Sequence, residues 1–391
     1  MHKTNKNLIS ARQFKIIIIF SVIGDTILIL PSIVGGAARQ DAWISMLLAL
    51  TGGLLVGWLF SSMGGRQAGL SVIGAAKRLG GKWVGGLIGL VHVFFFYLLA
   101  ISLLMEISFF MKTQLMSDTP SEAIVLTFLI VITAGMRYGV VSFARMSELL
   151  FPIFIAMFLF LTLCLLPQVN LHYITPIASN GLGPIMKGAY PAFTFGFLEA
   201  AGILMLVPYL NGGQKAINRS IRDGFFIGWS ILFITVLLCV LVLGPDMMEK
   251  KYFPTFLLAQ RIEIGGFLER VEAVLAFLWI VTVFYKTILY GYSMMRGLAE
   301  ILNLKEEHFL AMPLALLMLA GTQINVPSAA KYNEILSIAP NYDVTAYLIF
   351  PFLQYLLLGL PGFKKNRRPG NNSQGSEQGS NNLREKEEGK T

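Results

Sequence analysis

The sequence predicts an all-α integral membrane protein with about ten transmembrane helices in an inverted repeat. Three observations lead there. The first is composition. Of 391 residues, 55% are hydrophobic and 14% charged, and mean hydropathy is +0.66. Soluble chains average about 25% charged residues, so this one lacks the polar residues to cover a soluble globule. The second is the length of the apolar runs. Continuous stretches such as Phe151–Leu166 suit membrane helices rather than the short alternating segments of a β-barrel. The third is a device that recurs in both halves: a glycine, then an acid, then Ile-Leu-x-Leu closing on a proline.

A helix needs about 20 mainly apolar residues to cross a bilayer. Ten candidate spans follow: 14–37, 42–63, 84–111, 122–137, 142–166, 184–210, 223–244, 270–296, 308–326 and 338–361. They define a permease domain over 14–362, with repeats at about 14–166 and 184–361, a short cytoplasmic segment at 1–13 and a tail at 363–391. The first span resembles a signal peptide, with Lys3, Lys6, Arg12 and Lys15 before it and Gly36-Ala37-Ala38 after it. Its length and the interrupting Gly24-Asp25 favour a retained span.

Net charge is +9, from 31 Lys and Arg against 22 Asp and Glu. With the N-terminus inside, 22 of the 31 basic residues fall on the cytoplasmic side and eight outside, with Lys286 within the membrane. That asymmetry places both termini in the cytoplasm and accounts for the charge without a nucleic-acid partner. The tail holds one large apolar residue, Leu383, and is expected to be disordered. Lys364, Lys365, Arg367 and Arg368 sit where they would meet anionic lipid headgroups. Segment 70–83 reads as an interfacial helix, Ile73, Leu79 and Trp83 opposing Lys77, Arg78 and Lys82.

The first span reads Gly24-Asp25-Thr26-Ile27-Leu28-Ile29-Leu30-Pro31. The sixth carries Gly196, Glu199 and Gly202, then Ile203-Leu204-Met205-Leu206-Val207-Pro208. Five spans separate the two, so they run in opposite directions, and glycine-interrupted segments at matching positions point to a binding site. Unwinding at these points frees backbone donors and acceptors that must be satisfied in a medium without water. The freed helix ends favour a carboxylate at one side and an ammonium at the other, which a zwitterionic amino acid supplies. The competing reading is that these glycines only let helices pack closely.

Four ionisable residues lie inside apolar runs: Asp25, Glu106, Glu199 and Lys286. A charge at the bilayer centre costs about 2.5–3.5 kcal/mol, so each is a functional candidate. Lys286 is ten residues from Arg296, about 15 Å along a helix, and is read as pointing inward. Glu106 has two readings, an inward carboxylate or one reaching the outer interface near Lys112. His2, His92, His172 and His308 are dispersed, Cys164 and Cys239 lie in apolar runs, and no phosphate loop or nucleophile elbow occurs. Hence no metal, cofactor or enzymatic activity is expected.

Several pieces together resemble the B-subunit permeases of endospore nutrient-germinant receptors. They are Ile9-Ser10-Ala11-Arg12-Gln13-Phe14, Ile23-Gly24 through Leu30-Pro31, Gln40-Asp41-Ala42-Trp43-Ile44-Ser45, Arg145-Met146-Ser147-Glu148, Tyr190-Pro191-Ala192-Phe193 with Glu199, and the run from Ile262 to Glu272. The resemblance covers about residues 8–362. It implies the amino acid–polyamine–organocation superfamily and its five-plus-five, LeuT-like fold with helices one and six broken. It implies nutrient sensing, usually of amino acids, in the inner spore membrane, with A and C subunits as partners and ion release as the outcome. It places a small-molecule germinant pocket at Gly24, Asp25, Thr26 and Ile27 and at Thr194, Phe195, Gly196, Phe197 and Glu199, with Tyr97 and Lys286 contributing. Asp25 departs from the small or hydroxyl residue expected after the first glycine, which favours a ligand with an exposed ammonium. The alternative function is a self-sufficient proton-coupled amino acid transporter, with Glu199 as ammonium ligand or proton carrier.

Overall fold

A computed structural model of the chain describes residues 8–67, 69–262, 270–324 and 329–359. The expected tail, the first seven residues and the stretch 263–269 of the last resemblance motif lie outside the described residues. Among the described residues there is no sheet; one isolated backbone pairing joins Ile9 to Leu210.

The first span is two helices, α1 (Ala11–Ile23) and α2 (Thr26–Ala38). Ser10 caps α1: its hydroxyl accepts from the Gln13 backbone N–H, and the Gln13 side chain accepts from the Ser10 N–H, a reciprocal capping box. Next come α3 (Ala42–Arg66), the short α4 (Val72–Gly80) over the expected interfacial segment, and α5 (Val84–Phe110), whose helical path continues as a π turn to Leu115. Helices α6 (Ser121–Tyr138) and α7 (Val140–Leu165) complete the first five spans. The sixth begins as α8 (Leu182–Phe197) and tightens into a 3₁₀ helix over Leu198–Met205. Then follow α9 (Gly213–Leu238), the short α10 (Pro245–Lys250) and α11 (Pro254–Gln260), and the 31-residue α12 (Glu272–Leu302). The ninth span is α13 (Ala311–Ile324). The tenth is α14 (Ala329–Asp343) and α15 (Phe350–Gly359), joined by a π-helical stretch from Val344 to Ile349.

Two groups of spans pack together. One unites spans one, two, six and seven, through α1 on α9 and α3 on both α8 and α9. The other unites spans three, four, eight and nine, with α12 along α5 and α13 against α5 and α6. Helix α1 is apolar from Ile16 to Ile23 save for Ser21, and buried all round, as suits an element at the centre of a membrane bundle. The outward faces are apolar too. Leu55, Trp58, Leu87, Ile130, Leu149 and Leu163 are each at least 64% exposed, which water would penalise and lipid tails do not. The molecule is therefore a multi-pass membrane protein.

Candidate functional site

The first break sits at Gly24. Its φ of +33° lies in the region only glycine enters freely. Its N–H still closes α1 on the Phe20 carbonyl at 2.8 Å, while its own carbonyl accepts from the Thr282 hydroxyl on α12 at 2.8 Å. A Cβ here would strike the Lys286 side chain. The second break falls where α8 gives way to the 3₁₀ segment. There Tyr290 of α12 donates to the Glu199 carbonyl at 2.5 Å and accepts from the Gly202 N–H at 3.3 Å. The Thr26 hydroxyl donates to the Phe195 carbonyl at 3.4 Å, tying the breaks together. So α12 supplies hydrogen bonds to backbone groups at both breaks, the compensation that irregular backbone in a spanning helix needs.

Lys286 stands between the breaks with no exposed surface. Its Nζ donates to Asp25 Oδ1 at 2.5 Å and to Glu199 Oε2. The Glu106 carboxyl of α5 lies against Asp25, and the Asp343 carboxyl at the end of α14 lies against Glu199. The result is a chain of five groups in the order Glu106, Asp25, Lys286, Glu199, Asp343. Four carboxyl groups share one ammonium. Ionised together they would leave a negative surplus in a medium that penalises each charge by several kcal/mol, so protons or a cation must balance it.

A cavity of about 260 Å³ opens on this chain. Asp25, Glu106, Glu199 and Asp343 form its acidic wall, and side chains such as Leu98, Ile101, Phe195 and Tyr342 form the apolar remainder. A second cavity, of about 440 Å³, lies toward α10 and includes Glu249, Lys250 and Tyr252; Ile29 and Leu336 line both and form the partition. The opposite end of the bundle is closed. Arg296 pairs with Glu300 at 3.0 Å and Glu307 at 2.5 Å, Tyr292 bonds Tyr209 at 2.8 Å, and the Ile9 N–H bonds the Tyr209 carbonyl at 2.8 Å.

A buried ionic chain at two helix breaks is a transporter-like arrangement, and comparison with known proteins places it. A profile of the spore permease family, described as spore germination protein, matches residues 8–327. The chain belongs to this family. It is similar to spore germination protein KB of Bacillus subtilis (strain 168), 26% identical over 371 residues, 93% of this chain and 97% of that one. It is also similar to spore germination protein YndE of the same organism, 25% identical over 361 residues, 91% and 97% of the two chains. Among solved structures, the nucleobase-cation-symport-1 family transporter MHP1 superposes with a TM-score of 0.64 at 13% identity, covering 88% of this chain and 78% of that one. The Eremococcus coleocola manganese transporter gives 0.63 at 12% identity, covering 91% and 80%. These two show the fold: a five-plus-five inverted repeat of the LeuT type, with helices one and six broken.

Within this spore permease the expected pocket residues separate into groups. Asp25, Phe195 and Glu199 line the cavity, and Lys286 lies directly behind them. Gly24 and Thr26 brace the breaks. The Ile27 carbonyl turns away to accept from Thr255 at 2.7 Å, and Thr194 bonds the Pro191 carbonyl one turn back in its own helix at 3.2 Å. Gly196 remains inside α8, where a Cβ would come within 2.5 Å of the Trp229 ring; it is a packing glycine, and the backbone departs from α-geometry after Phe197. Phe197 packs on Phe225 and Trp229 with centroids 5.3 and 4.6 Å away. Tyr97 donates to the Leu317 carbonyl of α13 at 3.2 Å, and the next turns of α5 reach the cavity in its place. Glu106 takes the inward of its two readings, 5% exposed. Asp343 and Tyr290 were not among the expected residues. An acid inside the tenth apolar span was the available signal for Asp343; nothing local marks Tyr290.

Proposed function

We propose that this spore permease is the membrane subunit of a nutrient-germinant receptor. It binds a small germinant of the amino acid class in the cavity between its two broken spans, and binding helps trigger ion release and germination. It acts with A and C subunits in the inner membrane of the spore, with both its termini in the cytoplasm. The observation that carries the reading is the conjunction of family membership with a metabolite-sized cavity set on helix breaks and faced by buried acids. Such a cavity, apolar with a few convergent polar groups, is the usual form of a small-molecule site.

Deleting the gene and restoring it with the parent or with Glu199→Gln tests the proposal. The parent gene should restore germination to a nutrient that the deletion strain ignores, and Glu199→Gln should lower sensitivity by about tenfold or more, since the desolvated charged bond it accepts from Lys286 across the breaks contributes about 1.5–3 kcal/mol. Germination unaltered by deletion under every single nutrient would reject the proposal. A second reading, a self-sufficient proton-coupled amino acid transporter, draws on the surplus of buried carboxyl groups. Uptake by the purified chain in liposomes separates the two: concentrative uptake without partners favours the transporter.

A further inference from the structure

Asp25 and Glu199, the acids first expected to receive a ligand, are occupied by the chain's own Lys286. The outer members of the ionic chain have no such cation. Glu106 and Asp343 each lie against a fellow carboxyl, Asp25 and Glu199 respectively, and neither pairs directly with Lys286, while the buried Tyr332 hydroxyl makes no hydrogen bond. Glu106, Asp343 and Tyr332 are 5%, 1% and 5% exposed, and all three line the cavity. An acid held against another acid and a buried hydroxyl without a partner are both costly in a dry interior, and all three belong to residues that line one hollow, where a ligand can compensate them.

The sign of the missing partner follows from the lining. Among the described residues, four with carboxyl groups line the cavity and no lysine or arginine does, Lys286 being paired behind Asp25 and Glu199. A cation entering there relieves the negative surplus, whereas a carboxylate would add to it. Apart from Ser102, the rest of the wall is aliphatic and aromatic, so the remainder of the ligand is apolar rather than a hydration shell. We propose that the cavity takes a compact organic cation, an ammonium on an apolar body, received by Glu106 and Asp343 rather than by Glu199. Lys286 then acts as a tethered counter-ion that holds the two breaks together, and a free amino acid is a poorer ligand than its amide, which keeps the ammonium and lacks the carboxylate. The inference rests on the reading that this cavity is the germinant site, and shifts its ligand from the free amino acid to amino acid derivatives and amines that keep the ammonium.

The test uses the full-length chain in lipid nanodiscs and calorimetric binding of an isosteric series: 3-methylbutylamine, 3-methylbutanol, 4-methylpentanoate, L-leucinamide, L-leucine and potassium chloride at matched ionic strength. The amine and the amide should bind at least about tenfold more tightly than the alcohol, the acid and the free amino acid, the scale of one charge-assisted hydrogen bond. Glu106→Gln and Asp343→Asn should each weaken amine binding by a similar factor. Neither variant should unfold earlier than the parent without ligand, because each removes a carboxyl from a crowded acidic chain. Glu122→Gln, at the exposed start of α6, should leave amine binding unchanged. Equal binding of the alcohol or acid, displacement of the amine by equimolar potassium, parental amine affinity in both cavity variants, or no binding by any probe would each overturn the proposal. Germination assays keep its failure separate from that of the receptor reading. Chain-dependent germination without amine binding refutes the ligand class alone; amine binding with chain-independent germination refutes the receptor role alone.

Discussion

Lys286→Met replaces the central ammonium by an apolar side chain of similar length, and its effect can be worked from the geometry. The parent Nζ makes two charge-assisted hydrogen bonds, to Asp25 at 2.5 Å and to Glu199, with no exposed surface. Each such bond contributes about 1.5–3 kcal/mol, which sets a scale of about 3–6 kcal/mol. Removing one partner of a buried pair and leaving the other costs about 3–5 kcal/mol by a separate route. The single variant should therefore lose about 3–5 kcal/mol, a large share of the stability of an ordinary domain. The triple variant Lys286→Met, Asp25→Asn, Glu199→Gln removes the stranded acids along with the cation and should recover most of that loss, because replacing a whole buried ion group is often near neutral. Denaturant titration in mixed micelles measures both, and the germinant dose response in spores reads function. The triple variant should fold yet remain unresponsive, since the breaks lose the ion pairs that hold them in register. A single variant as stable as the parent would refute the pairing, and so would a triple variant less stable than the single.

Other outcomes follow from individual contacts. Gly24→Ala puts a side chain at φ +33° against Lys286 and should cost about 1–3 kcal/mol, with response lost at near-normal abundance; a sensitive Gly24→Ala receptor would contradict the break geometry. Gly196→Ala meets the Trp229 ring at 2.5 Å, so membrane level and response should fall together, and loss of response at full abundance would return Gly196 to the pocket. Tyr290→Phe removes the bond to the Glu199 carbonyl and the acceptor for the Gly202 N–H, costing about 1–3 kcal/mol by thermal unfolding; an unchanged midpoint would show that neither bond matters. A cysteine introduced as Ser376→Cys should resist impermeant reagents applied outside intact cells, and labelling from outside would reverse the proposed orientation.

The membrane class and the positions of most spans were legible because hydropathy is a local property summed along the chain. The first break was legible for the same kind of reason: a glycine before an acid in an apolar run is a local backbone signal, and Gly24 carries the positive φ that it suggests. The sixth span shows the limit of that logic. Gly196 and Gly202 both offered a break, but the Trp229 ring claims the space at Gly196, so the backbone changes two residues later.

The pairing of charges lay beyond the sequence. It marked Asp25, Glu106, Glu199 and Lys286 as costly in a membrane, yet Asp25 and Lys286 are 261 positions apart and Glu199 and Lys286 are 87 apart. Only the packing of α12 between the two broken spans brings them into contact and leaves Glu106 and Asp343 facing the cavity. Asp343 and Tyr290 matter for the same reason, because their partners are backbone and carboxyl groups on other spans. Sequence by itself determined which groups the membrane would penalise, since that cost depends on residue type and depth. The tertiary structure alone decided which of them compensate one another, because electrostatic and hydrogen-bond energies in a low-dielectric interior depend on distances of a few ångströms between segments remote along the chain.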